Sequence, residues 1–304
     1  MSRVLTLSLL IWGLGAQAQV SLSWKNPDGA VRKLKASNES KQRLMLGEHL
    51  VDSSSTTSML IRKKITTRAE GTQVAMSIDS LRSTISVPTL PKLEFDSTKP
   101  DETFDNPILA GIRDTLRATA NLQWTIDVDA QAHVTGVSGF ATALDKLSEE
   151  LKPSVAGIFA DDYQMQVAQQ EIDQLPKKAV RPGDEWTRKF IYRIERGQQL
   201  TFSLVYRYEG TAERGGQSLH KISMRATDVI YSTNQGAATP YELLDQDLRV
   251  RESSGVLYFD NSAGQVVEST MTTRIVGSMV FGTGVGELPA KLDSSFSVSM
   301  SLEK

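Results

Sequence analysis

The sequence predicts an α+β protein: a curved antiparallel sheet in two similar halves, with two or three amphipathic helices packed on its concave face. Three observations predict it. Apolar side chains recur at every second position in both halves of the 304-residue chain, the pattern of strands with one greasy and one wet face. Between the halves, over about residues 106–175, the spacing becomes that of helices. The chain is 39% apolar before its 21 glycines are counted and has a formal net charge of -2, the composition of a folded protein with a sizeable core.

The first element is a leader. Arg3 supplies a positive charge, Val4 to Leu14 is apolar, and Ala16-Gln17-Ala18 ends in the small-x-small pattern of a cleavage site. We expect residues 1–18 to be a secretory signal peptide, and residues 19–304 to be one two-lobed β-rich domain. The apolar run is well short of the roughly 20 residues that span a bilayer, and no later stretch approaches that length. The expected location is therefore exported, periplasmic or extracellular, with no transmembrane segment after cleavage.

Strand pseudo-repeats are expected at about 40–138 and 185–280. In the first, Met59, Ile61 and Ile65 lead to a turn at Glu70-Gly71 and return through Val74, Met76 and Ile78. Leu122 to Val128 then turns over Asp129 to Ala132 and returns at Val134. In the second, Phe190, Tyr192 and Ile194 turn near Gly197 into Leu200, Phe202, Leu204, Tyr206 and Tyr208. A turn at Glu213 to Gly216 leads into Ile222, Met224 and Ala226, and Val256 to Phe259 turns over Asp260 to Gly264 into Val266. The matching Ser77/Ser223 and Asp129/Asp260 lie at different offsets, so a duplication requires a deletion between them.

Of the helices, the first is capped at Asp105-Asn106-Pro107 and carries Ile108, Leu109, Ile112 and Leu116 on one stripe. The second carries Phe140, Ala143, Leu144, Leu147 and Leu151 and stops at Pro153. The third covers about Asp161 to Gln174, with Met165, Ala168, Ile172 and Leu175 on one side. Pro88 to Pro100 reads as a surface connection.

Catalytic parts are scarce. With no cysteine there is no disulfide, thiolate metal site or cysteine nucleophile. His49, His133 and His220 lie in separate segments, with no helical pair for zinc. Ser218 and Lys221 have the S-x-x-K spacing, but in a strand residues three apart point to opposite faces. Gly136-Val137-Ser138-Gly139 is one residue short of a nucleophile elbow, and Gly282 to Gly286 lacks the phosphate-loop ending and reads as a flexible hinge or turn. Asp127/Asp129 and Asp245/Asp247 do not continue into a calcium loop. Arg62-Lys63-Lys64 reads as the solvated side of a strand, and the charge balance gives no reason to expect nucleic acid. We therefore name no catalytic residue, no metal ligand and no cofactor.

One segment carries a resemblance. Leu175-Pro176, Val180 and Gly183-Asp184-Glu185-Trp186 look like the hallmark of a family of exported bacterial β-rich proteins known only as a domain of unknown function. Phe95-Asp96-Ser97 and the Trp124 to Val137 hairpin are also similar, and the likeness covers Leu44 to Val280. The resemblance implies a fold and a compartment, without an activity. Many members look like lipoproteins, and this chain departs from them in lacking the anchoring cysteine. The layout also resembles periplasmic carriers that shelter acyl chains, at the level of fold. The motif has a structural reading of its own: Pro182 and Gly183 shape a turn, Asp184 bonds its amides, and Trp186 buries a ring.

Two functions from different classes remain. One is a non-catalytic binding or structural protein of the bacterial envelope, holding a hydrophobic small molecule in a sheet/helix groove or pairing with an envelope protein. The other is a hydrolase of cell-wall or extracellular polymer, acting through two carboxylates.

Overall fold

A computed structural model describes residues 19–194, 197–233, 241–284 and 286–303. The expected leader, Met1 to Ala18, lies outside the described residues. Among the described residues twelve strands make one antiparallel sheet: β1 (Val31–Leu46), β2 (His49–Arg68), β3 (Gly71–Ser86), β4 (Leu93–Asp96), β5 (Gln123–Asp129), β6 (Val134–Ser138), β7 (Glu185–Arg193), β8 (Gln198–Arg214), β9 (Gln217–Thr233), β10 (Glu242–Asp260), β11 (Gln265–Thr283) and β12 (Gly286–Leu302). Their order is β6-β5-β3-β2-β1-β12-β11-β10-β9-β8-β7, with β4 beside β3. The two halves of the chain adjoin where β1 pairs with β12, from Leu34↔Leu302 to Leu46↔Ala290.

The period-two pattern explains the core. Register carries one face of the sheet from Leu204 on β8 through Ala226, Leu257, Ile275, Ser294 and Gln42 to Ser53 on β2. On this face Leu200, Phe202, Leu204, Ile222, Leu257 and Ile275 are buried together. Phe202 on β8 meets Phe296 on β12 edge-to-face at 5.6 Å, although three strands separate them in the sheet. That contact requires the sheet to curl about this face. Residues 20–30 run along it as a strap. Val20 bridges Val180, Lys25 N–H donates to Gly264 O at 2.9 Å, and Gly29 N–H donates to Ile65 O at 3.0 Å. Trp24 packs edge-on to Phe259 at 5.6 Å.

The helices are α1 (Pro107–Ala120), α2 (Phe140–Leu144), α3 (Lys152–Phe159) and α4 (Asp161–Ile172). Leu109 of α1 is buried against Leu81, Leu93 and Phe95, while α2 and α3 share a cluster with Phe140, Leu147, Val155 and Phe159. Two sequence expectations are corrected. The second helix ends at Leu144, leaving Leu147 in the connection and Leu151 at the cap of α3, and Pro153 lies in the first turn of α3, where its missing N–H costs nothing, so it opens a helix rather than stopping one. The Pro88 to Pro100 connection contains β4, whose Leu93 and Phe95 are buried.

Candidate functional site

An apolar groove lies between α1, α3 and β3. Asn106 opens α1: its Oδ1 accepts from Ile108 N–H at 2.9 Å and Leu109 N–H at 3.2 Å, and Pro107 supplies the helical φ of the first turn. Once Leu109 faces the sheet, helical spacing turns Ile108, Gly111, Ile112, Thr115 and Leu116 along the groove. Leu151, Ser154 and Val155 form the opposite wall and Ile85 the floor, around about 590 Å³. No charged side chain lines it. Gly111 sets the width, because a Cβ there would stand 2.8 Å from Leu151 Cδ2. Ile108 is 58% exposed at the mouth.

A polar pocket of about 320 Å³ lies where β3 and β4 meet the Lys99 to Phe104 segment. Its charges fasten that segment. Arg82 Nε donates to Asp96 at 3.0 Å, and Arg113 donates to Glu102 O at 2.7 Å and to Asp114 at 2.7 Å. Arg117 of α1 stacks over Phe95 at 4.8 Å, bonds Asp101 at 2.6 Å and holds Ser97 O at 2.9 Å. Under α4, Trp24, Val74, Met76, Ile126, Val128 and Ile172 surround a third space of about 50 Å³.

Every described carboxylate with a displaced pKa is displaced downward. The Thr98 hydroxyl holds Asp96 down, the His133 N–H Asp129, the Ser262 hydroxyl Asp260, and the guanidinium groups of Arg193, Arg214 and Arg274 hold Asp162, Glu268 and Asp293. Lys92 does the same for Glu94. A general acid at neutral pH needs the opposite shift.

The sequence candidates stay apart. His49 begins β2 and is exposed, His133 bonds Asp129 in its own turn at 3.2 Å, and His220 Nδ1 lies 2.8 Å from Tyr208 Oη. Among the described residues no three His, Cys, Asp or Glu side chains could hold a metal ion. Ser218 is exposed on β9 and Lys221 half-buried. Asp127 accepts from Gln73 Nε2 at 2.9 Å, and Asp247 from Arg249 at 2.6 Å. Gly139 takes φ +112° at the start of α2, and Thr283 Oγ1 donates to Gly286 O at 2.8 Å across the β11–β12 turn; Val285 lies outside the described residues.

At the Pro182 turn, Gly183 takes φ +95° and its N–H donates to Tyr208 O at 2.8 Å, while Asp184 Oδ2 accepts from Arg181 N–H at 2.8 Å. Trp186 lies flat on Tyr206, 5.7 Å between centroids and 8° between planes, and its Nε1–H donates to Gln174 O at 3.0 Å. These contacts fasten the start of β7 to the chain that follows α4.

Sequence reasoning missed the α3 wall of the groove. It also missed Gln169 and Gln170, whose side chains reach Val134 N–H on β6 at 2.8 Å and Ile191 N–H on β7 at 2.6 Å, the two ends of the strand order. Nothing in a polar helical face announces that role.

No protein-family model matches the sequence, and no curated protein matches it significantly. Among solved structures, one described as lipid–protein interactions in lipovitellin is similar over 92% of this chain and 26% of its own, at 11% identity and TM-score 0.46. The chain thus spans about a quarter of that lipovitellin chain. DynF from the dynemicin biosynthesis pathway of Micromonospora chersina is similar over 94% of this chain and 86% of its own, at 9% identity and TM-score 0.21. A DUF1329 family protein from Desulfovibrio piger is similar over 86% and 83%, at 12% identity and TM-score 0.11. These are weak likenesses of fold alone.

Proposed function

We propose that the protein is a non-catalytic binding protein of the bacterial envelope, exported by the Met1 to Ala18 leader, that holds an aliphatic, lipid-like chain in the groove between α1, α3 and β3. The carrying observation is the groove itself: about 590 Å³, inside the range of small-molecule sites, walled mainly by Ile, Leu, Val and Pro with Gly111, Thr115 and Ser154 among them, and with no charged residue among its described lining. Such walls gain from excluding water from an alkyl chain and offer nothing to a charged one. The register supports placing the helices in the hollow, since Met59, Leu81 and Ile85 share the face that carries Phe296 and Leu257.

The test is titration of delipidated protein with anthroyloxy-labelled palmitate. We expect saturable binding, weakened about tenfold or more by Ser154→Phe, which fills the groove, and by Ile108→Glu, which charges its mouth where solvent tolerates the new carboxylate. Absence of saturable binding, or wild-type binding by both variants, overturns the reading.

A further inference from the structure

Among the described residues, main-chain ladders join every neighbouring pair of strands along most of the shorter strand, except one. Strands β9 and β10 pair only through His220–Met224 with Gly255–Phe259, although β9 continues to Thr233 and β10 begins at Glu242. Beyond that ladder, side chains make the joint. Ala226 N–H donates to Ser253 Oγ at 2.8 Å, Tyr231 N–H donates to Gln246 Oε1 at 2.8 Å, and Gln246 Nε2 returns to Tyr231 O at 2.8 Å.

The outer edge of β7 is held the same way. Ile191 N–H donates to Gln170 Oε1 at 2.6 Å, Gln170 Nε2 donates to Ile191 O at 3.3 Å, and Arg193 N–H donates to Tyr163 Oη at 3.0 Å. The Arg193 guanidinium adds an ion pair to Asp162 at 2.9 Å. A glutamine amide has the donor and acceptor of a peptide group, so it can stand in for a neighbouring strand. It does so on a rotatable stem, and its release breaks no ladder.

Strands β7, β8 and β9 are bound to one another by ladders from Glu185↔Arg207 to Arg193↔Gln199 and from Gln198↔Thr233 to Arg214↔Gln217. At one end they are fixed by the β9–β10 ladder, by Trp186, and by Arg188, whose Nε donates to Asp173 O at 2.7 Å. At the other end they are held by the two glutamines, Ser253, Tyr163 and the Arg193 ion pair, and by the packing of Phe202 on Phe296 at 5.6 Å and Tyr231 on Phe281 at 5.9 Å. We propose that β7–β8–β9 is a hinged flap, pivoting at the His220–Met224 ladder and latched by Gln246 on one side and Gln170 on the other. Its opening uncovers the inner row Leu200, Phe202 and Leu204 and the Phe296 ring facing it. The flap goes beyond the binding role, and its test needs no ligand.

That test is residue-resolved hydrogen exchange on the purified protein. A hinged body requires the N–H groups of Ala226, Tyr231, Ile191 and Arg193 to exchange as one group, with one shared dependence on dilute urea and ahead of ladder amides such as Ile275. Gln246→Ala should speed Tyr231 about tenfold and also speed Ile191 and Arg193 on the far side of the flap, with Gln170→Ala acting reciprocally. If each substitution moves only the N–H it bonds, or if the four groups of the wild type have different urea dependences, there is no flap. The wild-type urea series decides the matter even if a variant fails to fold.

Discussion

Gly264 sits at φ +60° in the β10–β11 turn, and a Cβ there would run into the backbone N and side chain of Lys25 on the strap. Gly157 of α3 has open space around its Cβ position. The same substitution should therefore have opposite signs. Gly264→Ala is expected to cost about 1–3 kcal/mol through strain and displacement of the strap, whereas Gly157→Ala should gain about 0.5–1 kcal/mol from helix propensity, both read from urea midpoints. Equal effects would mean that the strap is not seated in solution. His220 supplies a prediction with a pH sign. Burial lowers its pKa below the ordinary 6.5, against a smaller upward pull from Asp260. The unfolded chain then binds the proton more readily than the folded one, so stability is full above about pH 6.5 and falls as pH drops toward the lowered folded value. Urea midpoints should decline between about pH 7 and pH 5, and His220→Gln should flatten part of that decline. A midpoint that rises over the same interval would contradict the assignment.

Among the elements, α1 sets the groove, so its cap should matter beyond stability. Asn106→Ala leaves two first-turn N–H groups without their acceptor and is expected to cost about 1 kcal/mol by thermal or urea unfolding, with faster exchange confined to the first turn of α1. Unchanged stability would place the cap in the frayed, non-contributing class. This cap was legible because Asx-Pro before an apolar stripe has one local meaning, and α4 was legible within a few residues because Met165, Ala168, Ile172 and Leu175 recur at helical spacing. Strands β8 and β9 were legible because Leu200 to Tyr208 alternate cleanly against one buried core, whereas on β7 the expected greasy residues Phe190 and Tyr192 face solvent. The middle of the sheet was not. From Ser53 to Ser58 hydroxyl residues occupy both faces and most are half-buried, with pairs such as Ser40–Ser55 at 2.9 Å and Thr57–Ser83 at 2.9 Å replacing apolar contact. No greasy face exists there for a period of two to reveal, whereas on β12 Phe296, Val298 and Met300 do alternate with Ser295, Ser297 and Ser299, and the expected repeat simply stopped short of them near residue 280. The groove was half legible: the α1 stripe stood in the sequence, but its wall at Leu151 to Val155 was hidden behind a proline read as a stop.

At the scale of the molecule, the β1–β12 joint decides whether the halves behave as one body. Thirteen register pairs connect them, from Leu34↔Leu302 to Leu46↔Ala290, so the first and last strands of the described chain complete a single sheet. The strap adds a second tie: Trp24 packs on Phe259 from the second half and its Nε1–H donates to Ile172 O at 2.8 Å, at the last residue of α4, the helix that reaches both sheet edges. Unfolding either half alone would leave a long unpaired strand edge and uncover the shared core, two costs that a separable lobe avoids. We therefore expect one calorimetric transition whose van't Hoff and calorimetric enthalpies agree, despite a length at which independent domains are common. Trp24→Ala should lower its midpoint, at a cost of about 3–5 kcal/mol for the lost ring, without splitting it. Two resolved transitions in the wild type would show that the β1–β12 ladder joins lobes that are stable on their own; a split appearing only in Trp24→Ala would show that the strap, rather than the ladder, couples them.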